Sequence, residues 1–138
     1  MSDGAGEEMK AGFTPQFPVV RNLLNGLWEL VEPVTYLSPD GRAWVIPAGT
    51  KTDWGSVPDV VDWIIPANST QADPAYLLHD FHYACHRAGF EAVRSRQDAD
   101  QILYDALLVC GVARWRARLI FYGVRIGGSV AWDRKTDF

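Results

Sequence analysis

Cysteine is scarce in this sequence, with two residues, Cys85 and Cys110, in a chain of 138. So few thiols exclude the disulfide-built scaffold on which small secreted domains depend. Each cysteine lies among apolar residues on a stretch that reads as helix, and is expected to be a buried, inert thiol. No apolar run approaches the ~18 residues that a membrane-spanning helix needs. No apolar segment follows a basic start, so synthesis and persistence in the cytosol are expected. A surplus of basic charge is missing too: 13 Lys and Arg against 17 Asp and Glu leave a formal charge of −4. No nucleic-acid partner is expected of a chain with so few cations to neutralise phosphates. Internal repeats and low-complexity tracts are also absent. What remains is an ordinary globular composition, long enough to bury one core.

The first dozen residues, MSDGAGEEMKAG, are small, acidic and without periodicity. Residues 1–25 are therefore assigned to an N-terminal arm, flexible or ordered by a partner, and residues 26–138 to a single α+β domain. From Leu27 to Leu37 the chain is rich in β-formers, and Ser38-Pro39-Asp40-Gly41 supplies a turn into a return strand, Arg42 to Ile46. Pro47-Ala48-Gly49 turns the chain again, into a short extended piece from Thr50 to Thr52. The expected sheet is small and antiparallel, with two or three strands. Residues 53–58 (DWGSVP) read as a loop and Asp59 to Ile65 as a short helix stopped by Pro66. Asp73-Pro74 opens a longer helix that Gly89 ends. Ser95 with Asp98 resembles a capping box and starts a second helix, which runs to Cys110. A third fills about Ala113 to Ile126 and stops at Gly127-Gly128. Three helices, with the short one, would form a bundle against the sheet.

The first of these helices carries every histidine in the protein. At 100° per residue, Leu77, Leu78, Phe81, Ala84, Cys85 and Ala88 make one apolar stripe. His79, His82, Tyr83 and His86 fall together on the opposite face, at i, i+3, i+4 and i+7. On the next helix Asp100 lies about 20° from Leu107, at the edge of the apolar face, where an ionised carboxylate needs a donor or a cation. His79 Nδ1–H and the Tyr83 hydroxyl, one turn apart, can both reach it. That would fix the imidazole tautomer and leave the other ring nitrogen as a general base. Asp80 projects about 100° away and suits a hard cation, for which the loop around Asp53 can supply a second carboxylate and carbonyl oxygens. Asp53 reads equally as an Asx-turn or cap for the segment at Pro58. His82 and His86 have zincin spacing, but Tyr83 stands where that motif needs Glu. Arg114, Arg116 and Arg118 around Trp115 form a basic aromatic patch that can touch phosphate or lipid headgroups; it reads more simply as a solvated edge, or as partners for Asp98 and Asp105.

Four blocks in order carry a resemblance to an uncharacterised family common in phages and prophages, domain of unknown function 1353. They are Val45-Ile46-Pro47-Ala48-Gly49; Thr52-Asp53-Trp54-Gly55-Ser56-Val57-Pro58; His79-Asp80 with Tyr83; and Arg96 with Asp98-Ala99-Asp100. The resemblance covers about Gly26 to Trp132 and implies phage origin without an activity. Here Trp54-Gly55 stands where an aromatic followed by Ala is expected, and His82 where the family is usually apolar. His79-Asp80-Phe81-His82-Tyr83 also resembles the helix signature of bacterial phospholipase A-two, with His82 in place of its Cys. That resemblance implies His79 as the base activating water, Asp100 as its orienter, and Asp80 with Asp53 and the Trp54 carbonyl around calcium. The flanking disulfide cysteines and the Gly-rich calcium loop of those enzymes are missing, which reduces the similarity to an analogy.

Two functions follow. One is calcium-dependent hydrolysis of an ester or phosphoester, with His79, Asp100 and Tyr83 catalytic and Asp80 and Asp53 holding the metal. The other is a non-catalytic phage protein, a virion or tail subunit or an accessory protein of the host cytoplasm, in which the same residues form a buried polar clamp. Its partners would be other phage structural proteins, met through the N-terminal arm and surface aromatics such as Trp28, Trp44, Trp54, Trp63, Trp115 and Trp132.

Overall fold

The computed structural model describes residues 10–25, 27–52 and 72–133. Among the described residues, six short strands precede three helices: β1 (Gly12–Thr14), β2 (Val20–Asn22), β3 (Trp28–Leu30), β4 (Val34–Leu37), β5 (Ala43–Ile46), β6 (Lys51–Thr52), α1 (Asp73–Arg87), α2 (Arg96–Val109) and α3 (Arg114–Asp133). The class is α+β, as the sequence pattern predicts. The strands form two three-stranded antiparallel sheets, ordered β1-β4-β5 and β2-β3-β6, where one sheet of two or three strands is expected. The additional strands come from the segment read as an arm. Phe13 pairs with Tyr36 and Val20 with Leu30, so residues 12–14 and 20–22 pair with the chain's own strands. Their low apolar content hides this, because most of their stabilisation is backbone pairing. The short helix expected at Asp59 to Ile65, and Asp53 itself, lie outside the described residues.

The β4–β5 hairpin shows how the pattern works. Val34, Tyr36 and Ile46 are fully buried while Val45 is exposed, which is the period of two that one wet face imposes. Gly41 takes the left-handed φ of +91° that the turn requires, and Ser38 N–H closes the hairpin on Arg42 O at 2.7 Å. Arg42 and Trp44 attach the hairpin to the helical half. Arg42 grips Asp98 of α2 with both terminal nitrogens at 2.9 and 3.0 Å. Trp44 donates to Ala92 O at 3.0 Å and lays its ring edge-on to His82 of α1. Asp98 is thereby occupied by the hairpin and not by the arginines of α3.

Helix starts fall where expected, but Asp73, expected as the N-cap of α1, is its first helical residue. α1 has proline in its first turn, although the capping residue is Ala72 and no side chain caps it. On α2 Ser95 Oγ accepts from Asp98 N at 3.1 Å, and Asp98 accepts from the backbone of Arg94 at 3.0 Å; that is one residue before the donor a capping box would use. The end of α3 differs from expectation. It continues through Gly127-Gly128 to Asp133. A Cβ on Gly128 would lie 2.7 Å from the Tyr83 hydroxyl, so this glycine permits close approach to α1 and does not end the helix. Arg87 of α1 donates to Ala131 O at 2.9 Å and secures the added turns. No helix among the described residues is long and apolar enough to cross a membrane.

Gly128→Ala is therefore expected to destabilise the fold by about 1–3 kcal/mol through forced displacement of Tyr83. Gly127→Ala, at an exposed helical position, should gain up to about 1 kcal/mol from helix propensity. Urea denaturation midpoints check this, and a neutral or stabilising Gly128→Ala would refute the close-packing role.

Candidate functional site

The histidine face of α1 turns inward. His79, His82 and Tyr83 are buried together with Leu77 and Leu78 of the expected core stripe, whereas its Phe81, Ala84 and Cys85 are only half-buried. With Ala88, Phe90 and Gly49 to Lys51 they line an open groove of about 380 Å³. The inward placement of these polar groups has an electrostatic reason: α2 and α3 place a carboxylate and two guanidinium groups beneath this face of α1, where His79 Nε2 and the Tyr83 hydroxyl find their partner.

Asp100 is the centre of that arrangement and is 0% exposed. Its Oδ1 meets His79 Nε2 at 2.7 Å and accepts from the Tyr83 hydroxyl at 2.6 Å. Its Oδ2 accepts from Arg125 at 2.8 Å, with Arg96 at 3.5 Å beside it. Burial alone would raise the Asp100 pKa. The contacts with His79, Tyr83 and Arg125 outweigh it and hold the carboxyl below the usual carboxylate value. An ionised Asp100 takes the proton of its imidazole bond from Nε2, which assigns the lone pair of a neutral ring to Nδ1. Nδ1 is buried and has no hydrogen-bond partner among the described residues. The sequence reading has the two nitrogens reversed. The outer nitrogen reaches across to α2, and the one nearer the backbone is left over. Burial, followed by the bond to Asp100, pushes the Tyr83 hydroxyl up, so it remains a phenol and a donor.

His79, Tyr83 and Asp100 are thus brought together. Asp80 is also buried, at 3% exposure, on α1, while Asp53 lies outside the described residues. Arg96 and Arg125 belong to the cluster and are missing from the sequence reading as site residues. Arg96 had a signal, four residues before Asp100 on one helix. Arg125 had none, since only the packing of α3 brings it near. Arg96 also donates to Val124 O and Arg125 O at 3.2 and 3.3 Å, which ties α2 to α3.

The remaining histidines take separate environments. His86 Nδ1 meets Glu91 at 3.0 Å and its ring stacks on Trp132 with centroids 3.7 Å apart. His82 is buried against Trp44, and neither ring nitrogen has a partner among the described residues. No three metal-ligating side chains converge among the described residues. Cys85 and Cys110 are half-buried and not joined by a disulfide. Burial raises the Cys110 thiol to about 11. Of the tryptophans in the described residues, Trp115 is exposed and Trp28, Trp44 and Trp132 are half-buried.

The described residues define an α+β protein whose three helices close on a buried carboxylate held by an imidazole, a phenol and two guanidinium groups. The chain belongs to the family described as Protein of unknown function (DUF1353), which matches residues 28–124. It is 28% identical over 114 residues to the uncharacterized protein y4jT of Sinorhizobium fredii, covering 80% of this chain and 31% of that protein. It is 27% identical over 93 residues to the uncharacterized protein y4iH of the same organism, covering 64% and 35% respectively. The chain therefore spans about a third of the length of these curated relatives. No solved structure matches it.

Acid stability follows from two of these groups. Burial, then the neighbouring His79, depresses His82 from 6.5 to about 3. The unfolded chain takes up that proton first, so this contribution is complete above pH 6.5 and is lost as pH falls toward about 3, by up to ~1.4 kcal/mol per unit. The Asp100 contribution is complete above the unfolded carboxylate value of about 4 and is lost only below it. Unfolding free energy is expected to decline between about pH 6.5 and 4.5 in the wild type and to stay level in His82→Leu. A wild-type profile that is flat over that range would remove the buried neutral histidine.

Proposed function

We propose that this chain is a hydrolase of esters or phosphoesters in which His79 is the base, Asp100 orients it and Tyr83 positions Asp100. The observation that supports this is the pairing of Nε2 with Asp100 at 2.7 Å while Nδ1 is left with no partner among the described residues. A neutral ring so oriented has its lone pair on Nδ1. Water would lose its proton to Nδ1 as its oxygen attacks the carbonyl carbon or phosphorus. Asp100 would stabilise the imidazolium, and the same proton would pass to the leaving alkoxide, giving acid and alcohol. The resemblance of His79-Asp80-x-x-Tyr83 to the phospholipase A-two helix supports the same roles. Calcium bound by Asp80 and Asp53 belongs to this proposal. The described residues alone do not supply a calcium ligand set.

One observation favours a second reading. His79 is 2% exposed, and all the Asp100 contacts are internal, as a polar clamp in a non-catalytic phage protein, in the virion or the host cytoplasm, would require. Turnover of a p-nitrophenyl ester, a p-nitrophenyl phosphodiester and dispersed short-chain phosphatidylcholine, each with calcium and with chelator, separates the two. The hydrolase reading expects turnover that falls by at least about 100-fold in a folded His79→Asn variant, with chelator lowering it if Asp80 and Asp53 hold the ion. Absence of turnover by folded wild type on all three substrates, or equal turnover by His79→Asn, leaves the clamp.

A further inference from the structure

The outer face of α3 presents apolar residues to solvent over most of its length. Trp115, Leu119, Tyr122, Ile126 and Val130 are all exposed, Ile126 at 84% and Val130 at 72%. At 100° per residue they share one stripe about 80° wide and about 22 Å long. The opposite face, with Ala117, Ile120, Val124 and Gly128, is buried against the fold. An apolar stripe this continuous on a folded surface marks an interaction site.

The charge around the stripe selects its occupant. α3 carries four arginines and no acid before Asp133, in a chain whose net charge is −4. Arg125 is engaged by Asp100. Arg114 and Arg118 flank the stripe on one side and Arg116 on the other, and none of the three has a carboxylate partner among the described residues; Arg116 lies over the Trp115 ring at 5.1 Å. A second copy of this helix would set arginine against arginine along the seam, because Arg116 and Arg118 occupy positions that flank Leu119 and Tyr122. A surface of closely spaced phosphates has the opposite sign. A shallow cavity of about 230 Å³ opens beside the stripe, lined by Gln101, Tyr104, Arg118, Phe121 and Tyr122, and sets a guanidinium and phenol hydroxyls next to the apolar residues. Trp and Tyr with exposed aliphatic side chains and basic flanks are the composition of a helix that lies in a bilayer interface.

We propose that α3 docks this domain on an anionic lipid surface, with Trp115, Leu119, Ile126 and Val130 entering the headgroup–acyl boundary and Arg114, Arg116 and Arg118 meeting lipid phosphates. The inference is independent of the hydrolase reading, since every observation behind it lies on the outer face of α3 and the adjoining cavity. Flotation of the full chain with phosphatidylglycerol vesicles, phosphatidylcholine vesicles and no lipid, alongside sedimentation velocity, tests it. Wild type is expected to float with phosphatidylglycerol and at least tenfold less with phosphatidylcholine. Arg114→Gln and Arg118→Gln should each weaken partitioning about fivefold. Ile126→Asp should abolish it with melting temperature unchanged, because the site is exposed. Failure of folded wild type to float, flotation unaffected by Ile126→Asp, or dimerisation abolished by Ile126→Asp without vesicle binding would each overturn the proposal; the last would assign the face to a second copy.

Discussion

A single buried carboxylate organises the helical half of this protein. Asp100 has no contact with solvent, so in its ionised form it must collect donors from the surrounding elements. It collects them from three helices: His79 and Tyr83 from α1, Arg96 from its own α2, and Arg125 from α3. Each donor approaches from a different direction, and together they fix the rotation of all three helices about their axes. A buried ion cluster adds little net stability once desolvation is counted; its consequence here is placement. It holds His79 and Tyr83 of α1 inward and leaves His79 Nδ1 without a hydrogen-bond partner among the described residues.

The close approach of α3 follows from the same constraint. Tyr83 must reach Asp100 past the backbone of α3, and the volume it needs is the volume a side chain at position 128 would fill. Glycine there lowers helix propensity, and the helix persists because Arg96 and Arg87 bind its carbonyl oxygens from the neighbouring helices. With its inner face committed to this packing, α3 keeps an outer face that is exposed among the described residues. The buried Asp100 cluster and the exposed apolar stripe are thus separate features of one packing solution, on opposite sides of one helix.

Much of this was legible in the residues. The turns at Ser38–Gly41 and Gly89, the N-terminal signals at Asp73-Pro74 and Ser95, and the α+β order all rest on local rules whose causes lie within a few residues. The association of His79, Tyr83 and Asp100 was legible as well, because a carboxylate at the edge of an apolar face has few means of being satisfied. The inward turn of the histidine face was not, since an apolar stripe of six residues on α1 outweighs it by hydrophobicity alone. Strands β1 and β2 were hidden because backbone pairing leaves little trace in side-chain type.

Local sequence determined where the elements begin, which face of α2 is buried and that an acidic group sits at its edge, because propensity, capping and periodicity act over one or two turns. Tertiary structure decided which imidazole nitrogen faces Asp100, that Arg125 joins it from 25 residues away, and that Gly127-Gly128 continues a helix where it reads as a stop. Those outcomes depend on the distance between elements, and distances between elements are set by packing and by the need to pair a buried charge, neither of which a linear pattern encodes.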